Sequence, residues 1–171
     1  MERGQIHLYY GDGKGKTTAA MGLALRAAGS GKRVVLVQFL KDGTSHEVQM
    51  LQKLPQVTVF CGKVCAAFAW NMTAQQKQDT AALHTENLKK ALALPCDVLI
   101  LDEICAAVTL HLVDETLIKT LVCAKPAALE LVLTGRDPAD FMLQNADYAT
   151  EMVLRKHPYE TGLPAREGIE F

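Results

Sequence analysis

The sequence predicts an α/β fold in three layers, a mainly parallel central sheet with helices on both faces, and two observations carry that prediction. Short apolar runs alternate along the chain with helical patterns, which implies successive βαβ units. Several of those runs are near-continuous Val, Leu and Ile, as expected of strands buried on both faces. At 171 residues, 49% of them apolar, the chain is long enough for one ordinary core and too short for two comfortable ones. Residues 1–171 are therefore expected to form a single domain.

The elements follow in order. "IHLYY" (6–10) reads as the first strand, and the Ala- and Leu-rich stretch from Thr17 to Ala28 as a helix that stops at Gly29-Ser30-Gly31. "RVVLVQFL" (33–40) and "VTVF" (57–60) are the next two strands. Thr73 to Leu94 is a long helix opened by a Thr-x-x-Gln capping box, Thr73 and Gln76. "DVLILD" (97–102) is a fourth strand, Asp114 to Ala124 a helix, "ELVLTG" (130–135) a fifth strand, Pro138 to Asn145 a helix and "YATEMV" (148–153) a sixth strand. Cys61 to Asn71 and the turn-rich segment from Lys156 onward show no clear period. Irregular segments of that length in a compact domain are often functional, and both are candidates for a substrate wall.

Composition narrows the function. The net charge is -1, from 18 Lys+Arg against 19 Asp+Glu, so no global field points to nucleic acid or to an anionic membrane. No segment approaches the roughly 20 apolar residues of a membrane span, and "MERGQIHLYY" lacks the apolar run of a signal peptide. A soluble, cytoplasmic protein is expected. The five cysteines are odd in number and contain no C-x-x-C pair, so they read as core thiols of a reducing compartment, although Cys61 and Cys65 are close enough to consider for metal. His7, His46, His84 and His111 show no ligand spacing and read as ordinary residues, whereas His157 lies in the denser "RKHPYETG".

The chemistry is concentrated in "YYGDGKGKTTAAMG" (9–22), between the first strand and the first helix. In a P-loop, backbone N–H groups of a glycine-rich turn converge on phosphate oxygens, a lysine adds a point charge and a Ser or Thr hydroxyl reaches Mg²⁺. Gly15-Lys16-Thr17 supplies that ending, while Tyr10 stands where the strict G-x-x-x-x-G-K-[ST] pattern has its first glycine; Gly11 and Gly13 take its place. Downstream, "DVLILDE" ends a buried strand in Asp102-Glu103, carboxylates suited to Mg²⁺ beside a P-loop. "LTGRDP" puts Arg136 at the end of the next strand, at the edge where open α/β sheets bind ligands. There it reads equally as a phosphate clamp or as a surface arginine. These residues stop at a P-loop nucleotide enzyme.

"GDGKGKTTAA" (11–20), "VVLVQFLK" (34–41), "FAWN" (68–71), "LDE" (101–103), "TGR" (134–136), "ADYATEM" (146–152), "RKHPYETGLPA" (155–165) and "GIEF" (168–171) occur in the order and over the span of one family. Together they resemble the ATP:corrinoid adenosyltransferases of the CobA type. The resemblance implies a RecA-like P-loop fold and transfer of the 5′-deoxyadenosyl group of ATP to the cobalt of a reduced corrinoid, with release of triphosphate. Carried over by position, Gly11, Gly13, Lys14, Gly15, Lys16, Thr17 and Thr18 would hold the triphosphate, and Thr17 with Asp102 or Glu103 would hold Mg²⁺ or Mn²⁺. Asp12 would contact the ribose, Arg26 would approach the nucleoside and Arg136 would complete the nucleotide set. Phe68 and Trp70 fall on the apolar loop that, in the family, removes the lower axial ligand of cobalt(II).

The family chemistry agrees with what the residues lack. Cobalt(I) is a strong nucleophile, so the protein need only present C5′ in line and stabilise the leaving triphosphate. The sequence accordingly offers no Ser-His-Asp or Cys-His constellation and no Asp-x-His-x-x-Gly corrinoid motif. An electron-donating reductase and a homodimer are the partners the resemblance implies. Family members often carry a further polar N-terminal segment that folds over the corrinoid, whereas Met1 stands a few residues before the first strand; looser binding, or readier acceptance of incomplete corrinoids, is the expectation. A kinase or ATPase sending the γ-phosphate elsewhere, and a RecA-like module binding single-stranded nucleic acid, are the competing readings of the P-loop.

Overall fold

The computed structural model describes residues 3–62 and 71–170. Six strands, β1 (Ile6–Tyr10), β2 (Val34–Gln38), β3 (Val57–Phe60), β4 (Val98–Asp102), β5 (Glu130–Gly135) and β6 (Tyr148–Glu151), form one sheet in the order β3-β2-β4-β5-β1-β6. Every pairing is parallel. The helices are α1 (Lys16–Gly29), α2 (His46–Leu51), α3 (Ala74–Leu92), α4 (Ile104–Thr109), α5 (Glu115–Ala124) and α6 (Asp140–Asn145), with a short 3-10 turn at Pro158–Thr161.

Side chains alternate across the sheet, and each central strand feeds two cores. Val34 and Leu36 of β2 and Val98 and Ile100 of β4 pack with Ala20, Ala24 and Ala28 of α1 and Val48 and Leu51 of α2. Val35, Val37, Leu99 and Leu101 turn the other way, onto Leu88 and Ala91 of α3, Ile104 and Val108 of α4, Ile118 and Val122 of α5 and Met142 of α6. Burial on both faces is why these strands read as unbroken apolar runs. The small side chains of α1 let it lie close against the sheet, which fixes the start of that helix at the carboxyl end of β1.

The expected elements are present, shorter at some ends. The second strand stops at Gln38 and the sixth at Glu151. The capping box forms: the Thr73 hydroxyl accepts from the Gln76 amide, and the Gln76 side chain accepts from the Thr73 amide. Two helices were not anticipated. α2 and α4 are six residues each, under two turns, too short for a 3.6-residue period to emerge from the sequence.

One histidine read as ordinary is a structural strut. His84 is 1% exposed; its Nδ1 bonds the Leu112 carbonyl at 2.9 Å, and its Nε2 accepts from the Leu40 amide at 3.2 Å. That assignment requires a neutral imidazole protonated at Nδ1. Burial pushes the His84 pKa below its ordinary value, against the bond to Leu112, which raises it. A pKa lower in the folded than in the unfolded chain means stability present above the unfolded value of about 6.5 and lost as pH falls through the folded one. Thermal melts between about pH 8 and about pH 5 should show the wild type losing midpoint below pH ~6.5, and His84→Gln, which takes up no proton, giving a lower but flatter curve across that window. Parallel curves would place the sensitivity elsewhere.

Candidate active site

The carboxyl ends of four neighbouring strands bring the polar residues together. In sheet order they deliver Gln38 from β2, Asp102 from β4, Thr134 from β5 and the glycine-rich loop from β1. Gln38 and Asp102 lie side by side in register. β5 lies between the strand of the loop and the strand of the acidic pair, so Thr134 is the bridge between them.

Asp102 is the centre of this row. It is 0% exposed, and both its oxygens are used: Oδ1 accepts from Thr17 Oγ1 and from Thr134 Oγ1, each at 2.8 Å, and Oδ2 accepts from Gln38 Nε2 at 3.0 Å and Lys41 Nζ at 2.9 Å. Burial works to raise its pKa, but the Lys41 ammonium and the bonds from Gln38, Lys41 and Thr134 outweigh it and hold the carboxyl below the usual range. Lys41 is displaced the other way: burial opposes its charge, yet Asp102 and Glu103 hold it above the ordinary lysine value. The Thr134 hydroxyl also accepts from the Glu103 amide at 2.9 Å, fixing Glu103 in a left-handed conformation (φ 62°) at the start of α4. The Glu103 carboxylate then lies 3.6 Å from Lys41 Nζ.

The glycine-rich loop is built by close approach. Gly13 donates to the Met152 carbonyl at 2.6 Å and Gly11 to the Arg136 carbonyl at 3.1 Å. A Cβ on Gly13 would stand 2.5 Å from the Met152 carbonyl oxygen, and Gly15 precedes α1 with φ 112°, so neither position accepts an ordinary side chain without strain. Lys16 Nζ donates to the Gly13 carbonyl at 2.7 Å. Burial lowers the Lys16 pKa, with Arg136 and Lys41 adding to that effect and Glu103 and Asp12 opposing it. Three cations are thus within electrostatic reach of one another at the amino end of α1, a basin that a polyanion would stabilise.

A cavity of about 890 Å³ opens beside the loop, lined by Lys14, Gly15, Lys16, Thr17 and Thr18 on one side and by Met21, Leu25, Leu40, Met50, Leu51 and Leu54 on another. Its size and mixed walls suit a drug-sized or nucleoside ligand. A second cavity, about 660 Å³, lies between Gly13-Lys14 and the segment from Val153 to Arg166. Between the two passes the carboxyl-terminal stretch, tied down where Lys14 Nζ donates to the Ile169 carbonyl at 3.2 Å, Arg166 pairs with Glu170 at 3.0 Å and Glu167 meets His46 at 3.5 Å. Hydrogen bonds from Arg166 hold the Glu170 carboxyl down to about 2. The turn-rich tail expected to form a substrate wall does line both cavities.

Of the residues singled out in the sequence, Gly11, Gly13, Lys14, Gly15, Lys16, Thr17, Thr18, Asp102, Glu103 and Arg136 converge on this region. Asp12 is exposed and accepts from the Leu154 amide at 3.0 Å, a bond that lowers its pKa. Arg26 sits in the last turn of α1, roughly 15 Å of helix rise beyond Lys16, and lines neither cavity although Gly22 and Leu25 line the first. Phe68, Trp70 and Cys65 lie outside the described residues. Sequence reasoning missed Gln38, Lys41 and Thr134. The signal available was positional: a polar residue closing an otherwise apolar strand, and a lysine three residues beyond it, at the edge where parallel sheets bind ligands.

Whether Mg²⁺ suits the site can be asked of its donors. Among the described residues no group of three or more His, Cys, Asp or Glu side chains converges, so the protein offers one hydroxyl and two carboxylates. That is the sparse oxygen set typical of Mg²⁺, which keeps several waters and takes further ligands from phosphates. Gln38 Oε1 is buried and accepts no hydrogen bond from the described residues, on the same amide whose Nε2 donates to Asp102. The residues fit the ion.

Comparison with known proteins agrees with this geometry. The family model described as ATP:corrinoid adenosyltransferase BtuR/CobO/CobP matches residues 2–171. The chain is 35% identical to the corrinoid adenosyltransferase CobA of Salmonella typhimurium over 99% of its own length and 87% of that protein's. It is 34% identical to the corrinoid adenosyltransferase of Escherichia coli (strain K12), with the same coverage. With that of Pseudomonas aeruginosa it shares 31% identity over 99% of this chain and 85% of the relative. A family match over nearly every residue, on a parallel sheet whose strand ends carry the P-loop and its acidic partner, shows that the chain belongs to the ATP:corrinoid adenosyltransferase family.

Proposed function

We propose that the chain transfers the 5′-deoxyadenosyl group of ATP to cobalt(I) of a corrinoid at the P-loop edge of the sheet. Family membership carries the reaction, and the cluster of Lys16, Lys41 and Arg136 around a glycine-rich helix start is the observation that supports the triphosphate position. In the transfer, the cobalt(I) electron pair forms the Co–C5′ bond. The C5′–O bond breaks, and its electron pair leaves with the triphosphate. Nothing needs to lose or gain a proton, so the transfer calls for no general base.

Residue roles follow from position. Lys16 and the amides that open α1 stabilise the departing triphosphate. Thr17 and Glu103, braced by Asp102, hold Mg²⁺, which when bound supplies charge neutralisation to the phosphates. The cavity walled by Met21, Leu25, Met50 and Leu54 takes the apolar face of the nucleoside or of the corrinoid edge. Phe68 and Trp70 act on the corrinoid, as the resemblance implies, by displacing the lower ligand of cobalt(II). The same proposal includes an electron-donating reductase and a homodimer, both resting on the resemblance alone.

The deciding assay supplies chemically reduced cobalamin, ATP and Mg²⁺ and measures Co–C bond formation with the phosphate product; triphosphate is expected, and ADP or inorganic phosphate without alkylcobalt would mean a kinase or ATPase. Lys16→Ala should lower kcat by about 100-fold or more in a folded protein, the usual loss when a preorganised contact to developing charge is removed. An unchanged kcat and KM for ATP would move the phosphate site. Glu103→Gln should raise the Mg²⁺ concentration for half-maximal rate by about tenfold, since a neutral amide is a poorer ligand for a hard cation. Phe68→Ala and Trp70→Ala should cripple activity from cob(II)alamin with a weak reductant, yet retain most of it when cobalt(I) is made beforehand. Equal losses in the two assays would assign these aromatics to substrate positioning or packing.

A further inference from the structure

We infer that Lys41 is a tethered stand-in for the metal: its ammonium occupies the convergence of Thr17, Asp102 and Glu103, and it must withdraw before a divalent cation can enter. The inference rests on the proposed metal-holding role of those three residues. Lys41 Nζ lies 3.1 Å from Thr17 Oγ1, 2.9 Å from Asp102 Oδ2 and 3.6 Å from Glu103 Oε1. One ammonium therefore meets an oxygen of each of the three residues assigned to the metal.

A buried lysine pairing with one aspartate would be a plain structural ion pair. Three features set this one apart. First, its contacts extend beyond Asp102 to Glu103, whose side chain is 26% exposed. Second, the Lys41 side chain is itself 35% exposed and lines the large cavity together with Lys16 and Thr18, so the ammonium has somewhere to go and an anionic partner to meet there. Third, the backbone at its root is held independently of the ammonium: the Phe39 amide donates to the Asp102 carbonyl at 3.0 Å and the Leu40 amide to His84. The side chain can therefore leave while its root stays in place.

Charge dictates that the two cations alternate. With the ammonium in place, Asp102, Glu103 and Lys41 sum to one negative charge. Exchange for a divalent ion brings that sum to neutrality, whereas both cations on the same oxygens would leave an excess positive charge in a buried site. Metal alone has little to draw the ammonium away. A triphosphate in the basin beside Lys16 does, because it offers the released lysine a new counter-ion. Metal and nucleotide are thereby made to enter together, and the carboxylates are never left without a cation.

The test is metal binding without nucleotide, read by Mn²⁺ electron paramagnetic resonance titration of wild type, Lys41→Met and Lys41→Gln. Removing the stand-in should tighten Mn²⁺ binding by about tenfold or more in both variants, and adding Glu103→Gln to Lys41→Met should abolish the gain. Unchanged or weaker Mn²⁺ binding in a folded variant overturns the inference, as does a gain that survives Glu103→Gln. Should the methionine variant fail to fold, the glutamine variant, whose amide can still donate to Asp102, decides by the same criterion. An error in the metal assignment itself would instead appear as an unaltered Mg²⁺ requirement of Glu103→Gln during turnover with ATP, a separate readout.

Discussion

A carboxylate with no solvent exposure, Asp102, is the constraint around which the site is organised. Burying an isolated charge is prohibitive, so each of its lone-pair directions must find a donor. The donors come from four places far apart in sequence: Thr17 after the loop, Gln38 at the end of β2, Lys41 just beyond it and Thr134 at the end of β5. None is available until the sheet has assembled with its strand ends level. The polar cluster is thus a check on register as well as a place for chemistry, since a slip of β4 by one residue would turn Asp102 to the opposite face.

The two cores play complementary parts. The face covered by α1 and α2 carries small and medium side chains, which bring the amino end of α1 and the wall of the large cavity close to the strands. The opposite face, covered by α3 to α6, carries the heavier apolar load and holds His84, whose imidazole reaches through to the Leu40 amide. One layer forms the site; the other keeps the loop after β2 from drifting.

Much of this was legible beforehand because it is written in local patterns. The apolar runs, the Thr73–Gln76 capping box and the P-loop ending at Lys16-Thr17 each announce themselves within a few residues. What stayed hidden was relational. Nothing in the spacing of Lys41 and Asp102, or of Thr134 and Glu103, reveals that they touch, because the sheet order places β4 between β2 and β5 and only the assembled sheet brings them together. The short helices α2 and α4 escaped for want of length. Arg26, which the resemblance assigns to the nucleoside, lies in the last turn of α1, a full helix beyond Lys16, and its distance from the loop follows from helical rise rather than from any local pattern.

Leu40 and Glu103 both adopt positive φ, at 61° and 62°, immediately beyond the ends of the neighbouring strands β2 and β4. Side chains with a Cβ are strained there, by an amount of order 1 kcal/mol each. The molecule tolerates that strain at the two bends that aim Lys41 and the Glu103 carboxylate toward one point. Glycine at either position would fit the backbone better and would surrender the side chain or the stiffness that the bend provides. A consensus or design procedure that placed glycine at 103 would therefore trade backbone ease for the loss of the carboxylate that meets Lys41.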